Sequence, residues 1–154
     1  MTAPIVKTIT VNCTAQAAFD VFVRNTSRWW RLDRHAVSAQ SGKPAQAVTI
    51  EPQVGGAVYE TMHDGARSEW GRVLVFEPGV RFAMTWHPGS DPASPTEVSV
   101  TFEDLPGGQC RVALTHSNWE NWADRADEMR GNYNGGWDHV FGTCFAQSAQ
   151  GKAA

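Results

Sequence analysis

The sequence predicts an α+β fold in which a curved antiparallel β-sheet wraps around a long C-terminal helix. Three observations carry this expectation. Short runs with strand character follow one another, separated by tight turn signals, the spacing of an antiparallel meander. Near the C-terminus, Tyr133, Trp137, Phe141 and Cys144 recur at three- and four-residue intervals, with Val140 and Phe145 alongside. That pattern is one apolar face of a helix. One face of the sheet must be buried, and only this helix and two short N-terminal ones are available to cover it.

Each element has its own local cause. Residues 5–11 alternate apolar and polar, as a half-buried strand does. Thr14 caps the next segment, its hydroxyl accepting from a backbone N–H two or three residues on. Ala15, Ala18, Phe19, Phe22 and Val23 then line one helical face, and Arg24 suits the negative end of the helix dipole. Trp29-Trp30 open a short second helix or turn reaching to about His35. Residues 36–46, around Ser41-Gly42-Lys43-Pro44, read as a loop.

Strand runs follow at 48–51, 56–62, 69–77 and 80–86. They are punctuated by Pro52, His63-Asp64-Gly65, Pro78-Gly79 and His87-Pro88-Gly89. A proline-bearing loop spans 88–95. Val98, Val100 and Phe102 alternate with polar partners through 96–103. Cys110, Val112, Leu114 and His116 do the same through 109–116, and the turn Pro106-Gly107-Gly108 predicts that these two runs pair directly as a hairpin. Ser117 or Asn118 is placed to cap a helical stretch holding Trp119, Trp122 and Met129. The expected order is β–α–α–β–β–β–β–β–β–α, in one domain over residues 1–154.

Gly135 and Gly136 interrupt the last helix. Glycine there costs roughly 0.5–1 kcal/mol relative to alanine. Two in a row mark either close backbone approach or empty space beside the helix. The seven tryptophans point the same way, to a wide apolar pocket as well as a bulky core.

Composition excludes several classes. Hydrophobic residues make up 42% and charged residues 19%, with a net charge of −3. Nucleic-acid binding asks for a basic patch and finds no support. No apolar run approaches the roughly 18–20 residues of a membrane span. Met1-Thr2-Ala3-Pro4 has no basic start and no signal core. Three cysteines, Cys13, Cys110 and Cys144, stand far apart in the sequence and fit a reducing cytoplasm.

The five histidines form neither H-x-x-x-H nor H-E-x-x-H, and no nucleotide-binding glycine loop or nucleophile elbow occurs, so no metal or cofactor is expected. His116 shares the phase of Val112 and Leu114, which places it at the mouth of the pocket as a general base or ligand donor. Its commonplace alternative is a histidine bonded to a neighbouring loop. Glu60 and Glu69 flank the His63-Asp64-Gly65 turn. They read either as paired carboxylates for acid–base work or as solvated residues and partners of Arg67 or Arg72. Cys144 reads as a buried small hydrophobe rather than a reactive thiol. Trp30, Trp86, His116, Tyr133, Trp137 and Phe141 are the expected ligand-binding set, mostly apolar with a few polar groups.

Four motifs in this order also resemble a known family. They are ITVNCTAQAAFDVFV at 9–23, GGAVYE at 55–60, WGRVLVFEPGVRFAMTW at 70–86 and VALTHSNW at 112–119, with Gly136-Trp137 on the last helix. Together they resemble the helix-grip, or START-like, fold of the SRPBCC superfamily, in the branch named after the activator of the heat-shock-protein ATPase. The resemblance covers nearly the whole chain. It implies an apolar cavity between the sheet and the last helix.

Three functions are compatible with it. The first is a binding protein for a small apolar or aromatic molecule. The second is a cyclase, dehydratase or hydrolase acting on such a molecule. The third is a co-chaperone-like module with a protein partner.

Overall fold

The structure, a computed structural model, describes residues 2–150. Seven strands form one antiparallel sheet in the order β1-β7-β6-β5-β4-β3-β2. The strands are β1 Ile5–Val11, β2 Ala47–Ile50, β3 Ala57–Thr61, β4 Arg67–Glu77, β5 Arg81–Trp86, β6 Thr96–Leu105 and β7 Gln109–Ser117. Strands β2 to β7 are a meander, and β1 closes onto β7. The expected hairpin is present: Leu105 faces Gln109 next to the turn, and Glu97 faces Ser117 at the open end. The curved sheet wraps around the C-terminal helix, as the helix-grip reading requires. Gly71 sits where β4 bends over β5, and a Cβ there would collide with the Thr85 carbonyl.

The inward phases follow the alternation in the sequence. Val98, Val100 and Phe102 on β6 and Cys110, Val112, Leu114 and His116 on β7 are all buried. Helix α1, Ala15–Arg24, is capped by Thr14, whose hydroxyl accepts from the Ala17 N–H at 3.1 Å. Its Phe19 and Phe22 reach Phe102 edge-on. The Cys13 and Cys110 thiols, remote in sequence, lie near each other in the core, where burial pushes Cys110 up to about 12 and raises Cys13 as well.

Three expectations change. Helix α2 covers only Thr26–Trp29 and does not run on to His35. Trp30 turns to extended backbone, its ring enters the tryptophan cluster, and its indole N–H donates to the His35 carbonyl at 2.6 Å. Asn118 takes left-handed backbone (φ 67°) and caps nothing with its side chain, and a 3₁₀ stretch, Trp119–Arg125, follows it. The last helix is not uniform. Helix α3, Ala126–His139, passes into a π-helical stretch, Val140–Phe145, and then α4, Ala146–Gln150.

The wider π turn carries an extra residue. It lets Val140, Phe141 and Phe145 all face inward, with the Phe141 and Phe145 rings stacked 5.5 Å apart. Cys144 is thereby rotated off the apolar face. It is half-buried, with its sulfur 3.7 Å from His139 Nε2, which corrects the expectation of a buried cysteine. A maleimide at neutral pH should therefore add one label per chain, at Cys144. Mass spectrometry of the labelled protein checks this, and Cys144→Ser should abolish the label. Modification of Cys13 or Cys110 in the folded protein would contradict it, because buried thiols with raised pKa carry almost no thiolate.

Candidate functional site

A cavity of about 200 Å³ opens between α3, the end of β5 and the segment that follows α2. One wall is aromatic: Trp30, Trp86, Tyr133 and Trp137, with Gly136 and Val140 between them along the helix. The opposite wall is the chain from Arg34 to Gln40, including His35 and Val37. The aromatic wall is one face of a larger cluster. Trp30 lies 5.2–5.8 Å, centroid to centroid, from Trp70, Trp86 and Trp137, and Trp70 lies 5.4 Å from Trp86. The rings thus serve as core and as cavity lining at once.

Glu60 holds the opposite wall in place. Its side chain is fully buried on the inner face of β3. Its carboxylate accepts from the Val37 N–H at 2.7 Å, the Ser38 N–H at 2.8 Å and Trp70 Nε1 at 3.1 Å. The segment is then bent back onto the sheet, with the Ser38 hydroxyl bonded to His63. At the rim, the His35 and His139 rings lie 6.1 Å apart. Arg31 meets His139 at 2.8 Å and pairs with Asp33 at 2.9 Å. Burial, then the neighbouring His139 and Arg31, lowers the His35 pKa, so the cavity meets a neutral imidazole. Burial raises the Tyr133 pKa, and the Trp86 indole beside it pulls the other way.

The profile of the family described as activator of Hsp90 ATPase homolog 1-like protein matches residues 12–147. The chain belongs to this family. Among solved structures it is similar to an anthrahydroquino-γ-pyrone synthase, Txn09, at 28% identity. That match covers 95% of this chain and 96% of the synthase, with a TM-score of 0.65. It is similar in fold to the Aha1 dimer from Colwellia psychrerythraea (18% identity, 97% of each chain, TM-score 0.68). It is also similar in fold to protein MLL2253 from Mesorhizobium loti (17% identity, 94% and 95% covered, TM-score 0.68). No curated protein matches the sequence. The fold and the family are those of the SRPBCC superfamily.

In this member of the Hsp90-ATPase-activator-like family, four of the six expected ligand-binding residues line the cavity: Trp30, Trp86, Tyr133 and Trp137. Phe141 does not. It is fully buried against Phe145, because the π turn swings it into the core. His116 does not reach the mouth either. Its inward phase holds, but Trp119 folds over it with ring centroids 4.2 Å apart, and no surface remains exposed.

Both His116 ring nitrogens are spoken for. Nδ1 accepts from Trp137 Nε1 at 3.0 Å, and Nε2 donates to Thr96 Oγ1 at 2.7 Å. The Thr96 hydroxyl passes its own proton to the Trp86 carbonyl at 3.1 Å. Burial drops the His116 pKa to about 3. It is a neutral structural hub, unsuited to general acid–base work near pH 7. Glu60 and Glu69 form no acid–base pair: Glu60 is the buried anchor, and Glu69 binds Arg72 at 2.8 Å and His87 at 3.3 Å.

The sequence reading missed Arg34, His35, Val37 and Gln40. A loop becomes a wall only through its tertiary anchor, and the one local signal was an acidic residue in phase with buried Val58 on β3. Among the described residues, no three His, Cys, Asp or Glu side chains converge as a metal site, and no helix is long and apolar enough to cross a membrane. A second groove of about 380 Å³ lies between α1, α2 and the edge strand β2, lined by Arg24, Ser27, Arg28 and Val48 among others. It shares no residue with the aromatic cavity.

Proposed function

We propose that this protein binds a compact planar aromatic molecule in the cavity between α3 and the end of the sheet. The observation that carries the reading is the aromatic wall of Trp30, Trp86, Tyr133 and Trp137 around open space. The volume lies below the roughly 300–1,000 Å³ of drug-sized sites, so a small fused-ring system fills it or the end of a larger one enters it. The name of the synthase at 28% identity denotes a fused-ring compound, which supports the same ligand class. A cytoplasmic location accompanies the reading, on the strength of three cysteines that cannot all pair.

Gly136 provides the test. A Cβ there meets only His35, at 3.6 Å from Cε1, an ordinary contact. Gly136→Ala is therefore tolerated, whereas the longer side chain of Gly136→Leu fills the cavity. Gly136→Leu should weaken binding of 2-ethylnaphthalene at least about tenfold, read by quenching of tryptophan fluorescence. Gly135 has open space around it. Gly135→Ala should leave binding intact and stabilise the helix by about 0.5–1 kcal/mol. Unchanged binding in Gly136→Leu would move the site elsewhere.

A second reading is turnover of that ligand, favoured by the synthase activity of the 28% relative. Its candidate groups here are Tyr133 and His35, which line the cavity, and not His116. Mass analysis of a fused-ring polyphenol incubated with the protein, against a Tyr133→Phe control, separates turnover from binding. A protein-partner role asks for an exposed apolar patch. Among the described residues, the exposed large apolar side chains are Val6, Val54, Leu74 and Val80, which are aliphatic and come from four separate segments.

A further inference from the structure

The tryptophans differ in one respect that bears on the ligand. Indole N–H is a donor and never an acceptor, so each buried tryptophan needs an oxygen or a bare ring nitrogen. Trp29 finds the Val21 carbonyl, Trp30 the His35 carbonyl, Trp70 the Glu60 carboxylate, Trp119 the His116 carbonyl and Trp137 the His116 ring. Trp86 finds none. Among the described residues its Nε1 is the one buried side-chain nitrogen or oxygen without a hydrogen-bond partner, on a residue only 4% exposed. Trp86 lines the aromatic cavity. The polar group beside its indole is the Tyr133 hydroxyl, close enough to depress the tyrosine's pKa against the upward push of burial, yet outside hydrogen-bonding geometry. Tyr133 lines the same cavity.

We infer that Trp86 Nε1 and Tyr133 Oη form a two-donor clamp for one acceptor oxygen of the ligand: a ketone or quinone carbonyl, or a phenolate. The inference rests on the aromatic-cavity reading and narrows its ligand class. An orphaned buried N–H carries its full desolvation cost in the empty protein, and an arriving oxygen removes it. Trp86 Nε1 is closed off in the empty protein, so the clamp requires Tyr133 to turn as the oxygen enters, which brings its hydroxyl in as the second donor. The rest of the lining agrees in sign. It contains no aspartate or glutamate, and its remaining polar side chains are Arg34, His35 and Gln40. Arg34, at the rim, favours an acceptor-rich or anionic ring substituent directed toward solvent. The ring system then lies against Trp30 and Trp137 with its acceptor edge pointing at Trp86.

Two probes of matched shape test this, 2-acetylnaphthalene and 2-ethylnaphthalene, measured by calorimetry on the intact protein. Trp86→Phe removes the N–H and keeps an aromatic ring, and Tyr133→Phe removes only the hydroxyl. Each should weaken the acetyl probe about tenfold while shifting the ethyl probe less than about twofold. The double variant should bind both alike. The infrared carbonyl stretch of bound 2-acetylnaphthalene, lowered by hydrogen bonding in the unmutated protein, should return in the double variant to its value in a non-hydrogen-bonding solvent. Equal loss of both probes, or no loss of either, would overturn the clamp and leave the cavity reading standing. Failure of the unmutated protein to bind either probe would overturn both. Should Trp86→Phe not fold, Tyr133→Phe and the carbonyl frequency decide the matter alone.

Discussion

Replacing Glu60 by alanine should destabilise the fold by roughly 3–5 kcal/mol, a fall in melting temperature of about 10 °C or more. The size follows from what the carboxylate does. It has no cationic partner among its contacts. Instead it accepts from three N–H groups, the backbone of Val37 and Ser38 and the indole of Trp70. Each is left without an acceptor in a space sealed from water, and a stranded buried donor costs about 1–3 kcal/mol. Glu60→Gln keeps one oxygen but sets an amide NH₂ against donors, so it should lose a large part of the same stability. The effect is also local. The Val37 and Ser38 amides anchor the cavity wall from Arg34 to Gln40, so their hydrogen exchange should accelerate more than that of the β6–β7 hairpin. Thermal unfolding and amide exchange measure both, and a Glu60→Ala protein with unchanged melting temperature would mean that the carboxylate is not the anchor.

That anchor also shows where a sequence stops being readable. Alternation placed the strands, because a period of two fixes which side chains face the core. The same rule put Glu60 in phase with Val58 and His116 in phase with Leu114, and both are inside. Period says which face a residue occupies but not what lies above that face. Trp119 closing over His116 is a contact of the chain beyond β7, and the donors waiting for Glu60 come from a loop more than twenty residues upstream. The aromatic set was legible because large rings spaced along three elements must meet somewhere. The π turn was not: Phe141, Cys144 and Phe145 fit an α-helix in the sequence, and only packing against Phe22 and Trp29 makes the extra residue worthwhile. The loop wall carried no periodic signal at all. The Cys13–Cys110 contact depends on β1 crossing to the far end of the meander to pair with β7, a step of topology that strand alternation leaves open.

His116 supplies the second large effect, and its sign is opposite to that of a catalytic base poised near neutrality. Burial holds its pKa at about 3 in the fold, against an ordinary 6.5. Between those values the unfolded chain carries a proton that the folded chain refuses, so acid favours unfolding. The stabilisation is complete above about pH 6.5 and drains away as the pH falls toward 3, at up to about 1.4 kcal/mol per pH unit from this one group. His35, whose pKa is also lowered by burial, adds to the slope with the same sign. Urea unfolding across this range should therefore show a steep acid limb. His116→Phe should flatten part of that limb while lowering stability at pH 7 by about 1–3 kcal/mol, because Trp137 Nε1 and the Thr96 hydroxyl lose a partner. Ligand affinity between pH 5 and 8 should carry no imprint of His116, which stays neutral throughout and sits behind the tryptophan wall rather than in the cavity. Identical acid limbs in the two proteins would show that His116 is not buried neutral in solution. A preserved neutral-pH stability in His116→Phe would show that the hydrogen bonds joining β7, β6 and α3 through its ring contribute nothing.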